Sequence, residues 1–413
     1  MVALDRDSAS SAKPRPRKKT SRLWWEVHQW AGMKFSILLS FILLTGTLAT
    51  LSHEIDWLLR PAMRVDPATV AAEVNWAAVA QTAADAAGAG RVISLEGPMD
   101  PWFAAAAILE APDGGLSFVY VHPTTGALQG QGHWVGAQRI LRNMHRHLMM
   151  PVAIGVPIVS ALSFLLAVSL VTSFVVYKKW WRGFLKPIRL NDLRTGLGDF
   201  HRLAGLWSLW FVLLMILTGL WYLAEQTAFR APELPSAKVE ASAEDMAGLA
   251  ARLPQTLAAA RGVNPDLRIE RIIFPTTKSG AFVLHGQDEA ILVRSRANTV
   301  WTQAETGAVV LITDGRDLNL HQRLSEAADP LHFGTWGGLT TKIIWFVFGL
   351  ALTGLSVSGV AIYALRLIRA ERRPKRWGPA LEVSWAGMGV WRWPALILVI
   401  IGLLLIPTVF LQA

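Results

Sequence analysis

Five apolar runs, each long enough to cross a bilayer, constrain this chain more than any other feature. They are Trp30–Ser52, Pro151–Tyr177, Phe200–Ala224, Trp336–Leu365 and Trp393–Leu411. Backbone polar groups in hydrocarbon must be satisfied within the segment, so runs of this length become helices. With 52% apolar residues overall, the chain is predicted to form a membrane α-helical bundle of about five spans. The first run follows a basic leader, as a signal peptide would. It is too long, however, and no small-x-small site follows it, so it is read as a retained span.

Basic residues give the orientation. Lys13, Arg15, Arg17, Lys18, Lys19 and Arg22 precede the first span. Lys178, Lys179, Arg182, Lys186, Arg189 and Arg194 follow the second, and Arg366, Arg369, Arg372, Arg373, Lys375 and Arg376 follow the fourth. In an alternating arrangement these segments share one side, the cytoplasmic one. The two long loops carry more acids than bases and lie outside. The net charge of +10 is therefore orientation charge and gives no reason to expect nucleic acid. Tryptophans gather at both ends of the runs, as an aromatic belt would. The chain has no cysteine, which excludes disulfides, iron–sulfur clusters held by thiolate and covalently attached haem.

Both long loops have the same plan. An alanine-rich helix (about Trp76–Ala87, and about Ala243–Ala260) leads into short alternating strands. These are Arg91–Glu96, Phe103–Leu109, Phe118–Val121 and Ala127–Gln129 in the first loop. In the second they are Ile269–Phe274, Ala281–His285, Ile291–Arg294, Val300–Gln303 and Ala308–Ile312. A Thr-Gly turn marks each, at Thr125-Gly126 and Thr306-Gly307. The expected organisation is a basic leader (1–22), a first span (23–53), a first α+β module (54–135), and a second span with a His-bearing segment before it (136–178). A basic loop (179–199), a third span (200–225), a second α+β module (226–315) and a fourth span with its own His-bearing segment (316–366) follow. A second basic loop (367–392) and a fifth span (393–413) end the chain. The first four spans and the two modules read as a duplication.

The duplication carries histidine. His28-Gln-Trp-Ala-Gly32 opens the first span and His201-Arg-Leu-Ala-Gly205 the third, and each run continues to a Thr-Gly pair, at Thr45-Gly46 and Thr218-Gly219. Ionisable groups at membrane depth are costly and usually functional. Two imidazoles facing each other across a bundle are what a b-type haem needs. His28 and His201 are thus predicted as one axial pair. His145 before the second span and His332 before the fourth are predicted as another, at the opposite face. His53, His147 and His321 are alternates on that face. Lys34, Arg146 and Arg202 are candidate partners for haem propionates. A span of about 22 residues rises roughly 33 Å. One haem would leave a long gap, so two, both non-covalent, are expected. No Gly-x-Gly-x-x-Gly follows a strand, and the inner loops are too short for a nucleotide fold. The electron donor must then be a cytoplasmic protein or a membrane quinol.

These segments, with Val27-His28-Gln29-Trp30-Ala31-Gly32, His53-Glu54-Ile55-Asp56, Met144-His145-Arg146-His147-Leu148, Asp199-Phe200-His201 and Leu331-His332-Phe333-Gly334, resemble the PepSY-associated transmembrane helix family of bacterial inner-membrane proteins. The resemblance covers nearly all of residues 22–370. It implies PepSY-like periplasmic modules and an iron-related redox role, as in ferric-siderophore reductases and iron-uptake factors. The expected activity is an oxidoreductase: an inner-membrane di-haem b reductase that passes electrons to a periplasmic ferric siderophore and releases iron(II). Trp102 and Trp301 are expected as aromatic contacts for the chelate. Two alternatives are a membrane-anchored sensor or peptidase regulator without redox activity, and an iron or haem uptake accessory protein or transporter. The first leaves the repeated histidines unexplained; against transport, the short inner loops lack any ATPase motif and no transport-type broken helix is obvious.

Overall fold

The computed structural model describes residues 19–240, 245–276, 278–371 and 377–411. The leader residues before Lys19, the basic residues at 372–376 and Ala243 lie outside this range. The first half runs α1 (Lys19–Lys34), α2 (Ser36–Thr50), α3 (Ser52–Leu59), α4 (Trp76–Ala87), strands β1 (Arg91–Glu96), β2 (Ala105–Glu110), β3 (Leu116–Val121) and β4 (Leu128–His133), then α5 (Ala137–His147), α6 (Val152–Ser160) and α7 (Leu162–Val176). The second half runs α8 (Leu193–Trp207), α9 (Leu209–Thr227), α10 (Met246–Val263), β5 (Arg268–Ile273), β6 (Ala281–Gln287), β7 (Asn298–Gln303), β8 (Val309–Thr313), α11 (Leu320–Phe333) and α12 (Gly338–Ala370). α13 (Trp377–Met388), α14 (Arg392–Leu404) and α15 (Ile406–Phe410) follow.

Four helical segments among the described residues are long and apolar enough to cross a membrane: Val152–Val176, Leu209–Thr227, Thr335–Ala370 and Gly378–Phe410. A fifth arises if the pair Arg22–Lys34 and Ser36–Thr50 is one broken span. The chain is a multi-pass membrane protein. The first run is not the straight span expected from its composition: α1 and α2 are bent by 66° at Phe35. The third run is also interrupted, at Ser208. His28 and His201 therefore stand on separate helices, α1 and α8, each leading into a more apolar one. The fifth run begins well before the expected Trp393. The stretch read as loop up to residue 392 contains α13, held on α12 by an apolar cluster of Ala364, Ile368 and Val383.

The strands also depart from expectation in two respects. The two modules do not stand apart but form one eight-stranded antiparallel sheet, ordered β4-β3-β2-β1-β5-β6-β7-β8. Its central joint pairs β1 with β5, with Leu95 opposite Ile272, and neither residue is exposed to solvent. A separate four-stranded module would leave β1 or β5 as a bare edge. Helices α4 and α10 pack on each other and on the sheet, so that one apolar core runs through both halves. The Thr-Gly turns form as expected. Gly126 and Gly307 adopt φ of 74° and 70°, where a side chain would be strained. Thr82 Oγ1 on α4 donates to Gly126 O, and Gln255 Nε2 on α10 donates to Thr306 O. The expected strand at Ile291–Arg294 does not form. Leu292 has a φ of 55°, and the Gln287 side chain donates to Val293 O, so this segment turns away from the sheet.

Candidate functional site

The bundle brings four histidines together in two pairs. His28 and His201 face each other with ring centroids 6.5 Å apart, at the end of the bundle away from the sheet. His145 and His332, at the ends of α5 and α11 that lead into the bundle from the sheet, are 6.0 Å apart. All four rings are half-buried. These are the two pairs expected from the sequence.

Each ring is held by its Nδ1. His145 Nδ1 lies 2.9 Å from the carbonyl oxygen of Ile42, so Nδ1 must carry the proton and donate. The other three meet hydroxyls that already donate elsewhere. His332 Nδ1 lies 2.7 Å from Thr218 Oγ1, which donates to Leu214 O. His201 Nδ1 lies 2.9 Å from Ser358 Oγ, which donates to Leu355 O. His28 Nδ1 lies 2.9 Å from Thr172 Oγ1, which donates to Val168 O. A hydroxyl has one proton, so each accepts from the imidazole. The network thus assigns the Nδ1–H tautomer to all four rings and leaves each Nε2 with a free lone pair. Holding a ligating histidine by its other nitrogen is the usual way to orient it.

The Thr-Gly pairs of the apolar runs contribute here. Thr218 holds His332 directly. In the first half Thr45 Oγ1 donates to Ile42 O, the carbonyl that also receives His145. A Cβ at Gly46 would lie 2.5 Å from His145 Cε1, so only glycine leaves room for that ring. Nothing in the sequence singles out Ser358 or Thr172, because hydroxyls are common in membrane helices.

The alternates lie elsewhere. His53 on α3 lines a cavity of about 100 Å³ with Asp56, Arg60 and Tyr120. His147 is buried, with Nδ1 lacking a partner, beside the left-handed Leu148 and Met149. His321 bonds Phe229 O at 3.0 Å and packs its ring on Trp221. Of the expected propionate partners, Lys34 stands at the α1–α2 bend and donates to Gly387 O. Arg202 is ion-paired with Asp199 at 3.2 Å. Arg146 is exposed and lines a second, much larger cavity of about 860 Å³.

This large cavity lies between the second-half strands, α11 and the segment 225–236. Its wall includes Arg294, Arg296, His285 and Trp301. His285 stands on β6 and is not among the candidates read from the sequence. Burial, with Arg271 and Arg296 nearby, holds its pKa down to about 4. Trp102, the other aromatic expected to meet a chelate, is not in the lining of this cavity; its backbone carbonyl accepts from Trp57 Nε1. A chain of polar contacts joins the cavity to the histidine pair. Arg294 Nη1 donates to Asp329 Oδ2 at 2.8 Å, and Tyr222 Oη donates to Asp329 Oδ1 at 2.7 Å. The Tyr222 ring packs edge-on against His332 at 5.3 Å.

A helical membrane bundle with paired inward histidines below an antiparallel sheet is the class of protein defined here. The profile of the PepSY-associated TM region family matches residues 25–366, and the chain belongs to that family. No curated protein matches the chain.

Proposed function

We propose that this chain is a haem-bearing membrane reductase that delivers electrons to a ferric chelate of siderophore type on the sheet side of the bilayer. The observation that carries this reading is the pair of facing imidazole sets, each ring with Nδ1 engaged and Nε2 free. Two imidazoles on opposite sides of one metal, each at a bond of about 2 Å, put their ring centroids roughly 6 Å apart. Both observed separations fit. A bare ion would need more donors, and among the described residues no cluster of three or more His, Asp or Glu is available. A haem, which brings most of its own iron ligands and would need only two imidazoles from the chain, would suit this donor set.

His28 and His201 would hold one haem b and His145 and His332 a second, both without covalent attachment. Bound there, haem supplies one-electron transfer. The residues of the chain do the rest. Ile42 O, Thr172, Thr218 and Ser358 fix ring orientation and tautomer, and Gly46 admits the His145 ring. Trp345, bonded to Leu331 O beside His332, and Ser358, bonded to His201, lie on the uninterrupted α12. That puts roughly 20 Å of helix rise between the two pairs, so a haem held at each would divide the path across the membrane into shorter steps. The chelate receives one electron, iron(III) becomes iron(II), and hard oxygen ligands hold the product less tightly.

The repeated order of broken helix, helix-plus-strands and His-bearing helix supports reading the chain as duplicated, with two PepSY-like modules fused into one sheet. The lysine and arginine bias supports a bacterial inner-membrane setting, with the N-terminus cytoplasmic and the sheet periplasmic. The electron donor would be a cytoplasmic protein or a quinol. A membrane-anchored regulator would not need four oriented imidazoles. Reduction of the purified protein by dithionite, followed by anaerobic addition of a ferric siderophore, tests the reading. It requires a reduced haem spectrum that returns to the oxidised form as iron(II) accumulates.

A further inference from the structure

The space between sheet and bundle differs sharply in its two halves. Under the first-half strands it is filled. Phe118 stacks on Trp134, and Arg139 lies 3.6 Å over the same indole. Arg60 bonds both Tyr120 Oη and Val135 O. What remains is the cavity of about 100 Å³. Under the second-half strands a cavity of about 860 Å³ stays open, a volume within the usual range for a bound small molecule.

The charges of the open cavity are sorted by depth. Glu326 is 2% exposed and accepts from both Arg294 and Arg296. Its carboxyl lies below the usual range: burial alone would raise it, and the hydrogen bonds from the two arginines outweigh that effect. The side chain of Arg296 is 50% exposed and that of Arg294 29%. Glu326 therefore lies behind the two guanidiniums and fixes them in place. The two other acids of the cavity, Glu225 and Glu233, belong to the 225–236 segment. The wall built by α11 and the strands presents cations and the Trp301 indole.

We propose that this cavity is the single docking site of the oxidant and that it selects a polyanionic, oxygen-donor chelate. Arg294 and Arg296 are the fixed forks for its oxygens, and Trp301 is the face against which its rings lie. Among the described residues of the first half, aromatic and arginine side chains occupy the corresponding space. The proposal rests on the reductase reading for the identity of the ligand. It deepens that reading by assigning a charge preference and one side of the molecule.

The test is binding without electron transfer. Gallium(III) replaces iron(III) without being reduced, so its complexes report the site alone. The full-length protein in detergent is titrated with the gallium complex of a hexadentate tris-catecholate, a trianion. It is also titrated with that of a linear tris-hydroxamate of no net charge. The trianion is expected to bind at least tenfold more tightly, and Arg296→Gln to weaken it by roughly tenfold or more. Arg230 of the 225–236 segment also lines the cavity, outside the Glu326 network; Arg230→Gln is expected to weaken binding as well, and it guards against a misfolded Arg296 variant. Equal binding of the two complexes, unaltered binding in both variants, or failure of the wild type to bind the trianion would overturn the proposal. If the gallium trianion binds as expected but the ferric form is never reduced, the site stands and the reductase reading falls.

Discussion

His145 and His332 face each other at 6.0 Å although they end two different helices and are held by different groups. A backbone carbonyl, Ile42 O, holds one, and a hydroxyl, Thr218 Oγ1, holds the other. The difference separates orientation from mere packing. Thr218→Val keeps the shape and removes the acceptor, leaving a half-buried N–H without its partner at a cost of about 1–3 kcal/mol. Haem affinity at this pair is expected to fall roughly 10–100-fold, with a shifted midpoint potential, and Thr218→Ser should restore both. Titration of apo protein with haem, followed by potentiometry, checks this. A Val variant with unchanged affinity and potential would mean that Thr218 only packs.

Gly46 tests the room left for the ring. The Cβ of Gly46→Ala would sit 2.5 Å from His145 Cε1 and must displace the imidazole, whereas Gly32 has nothing within 4 Å of its own Cβ position. Gly46→Ala is expected to lose about half the bound haem, and Gly32→Ala none. The pyridine haemochrome content of the two variants measures this.

Lys342 and Glu54 form an ion pair at the junction of α12 and α3, with Lys342 only 3% exposed. Removing one partner leaves an uncompensated buried charge. Lys342→Met is therefore expected to cost about 3–5 kcal/mol. Adding Glu54→Leu should recover most of that loss. Thermal unfolding of the single and double variants in the same detergent distinguishes this from simple loss of packing, in which the second substitution would deepen the first.

His285 sets a pH dependence. Folded, it stays neutral down to about pH 4, because burial and the nearby Arg271 and Arg296 disfavour its charged form. Unfolded, it takes up a proton near its ordinary value of 6.5. Between these values the unfolded state binds more protons, so stability falls as pH is lowered through the window and is flat above it. His285→Gln should flatten the decline of Tm between pH 6.5 and 5. An unchanged slope would assign the decline to other groups.

The histidine pairs were legible in the sequence because each imidazole repeats with a local context, and context survives any uncertainty about packing. The strands were legible from alternation, apart from Ile291–Arg294, where the positive φ of Leu292 is a local choice that apolar composition conceals. The β1–β5 joint was not legible. It pairs segments far apart in sequence, and nothing in either strand names its partner. The bend at Phe35 was hidden for another reason: Gly32 stands one turn before it, but glycine is common in membrane helices and does not by itself mark a break. The open cavity depends on which side chains fill the space beneath each half of the sheet. The sequence does not display that, whereas the structure does so through Trp134 and Arg139 in one half and Trp301 in the other.

The most direct measurement is haem content per chain in the wild type and in four variants, His28→Ala, His201→Ala, His145→Ala and His332→Ala, with the two paired double variants. The account predicts about two haems in the wild type and one in each single variant. It predicts one again in the His28/His201 and His145/His332 doubles, because both members of a pair serve the same iron. A colourless wild type, or losses that add within a pair, would contradict it.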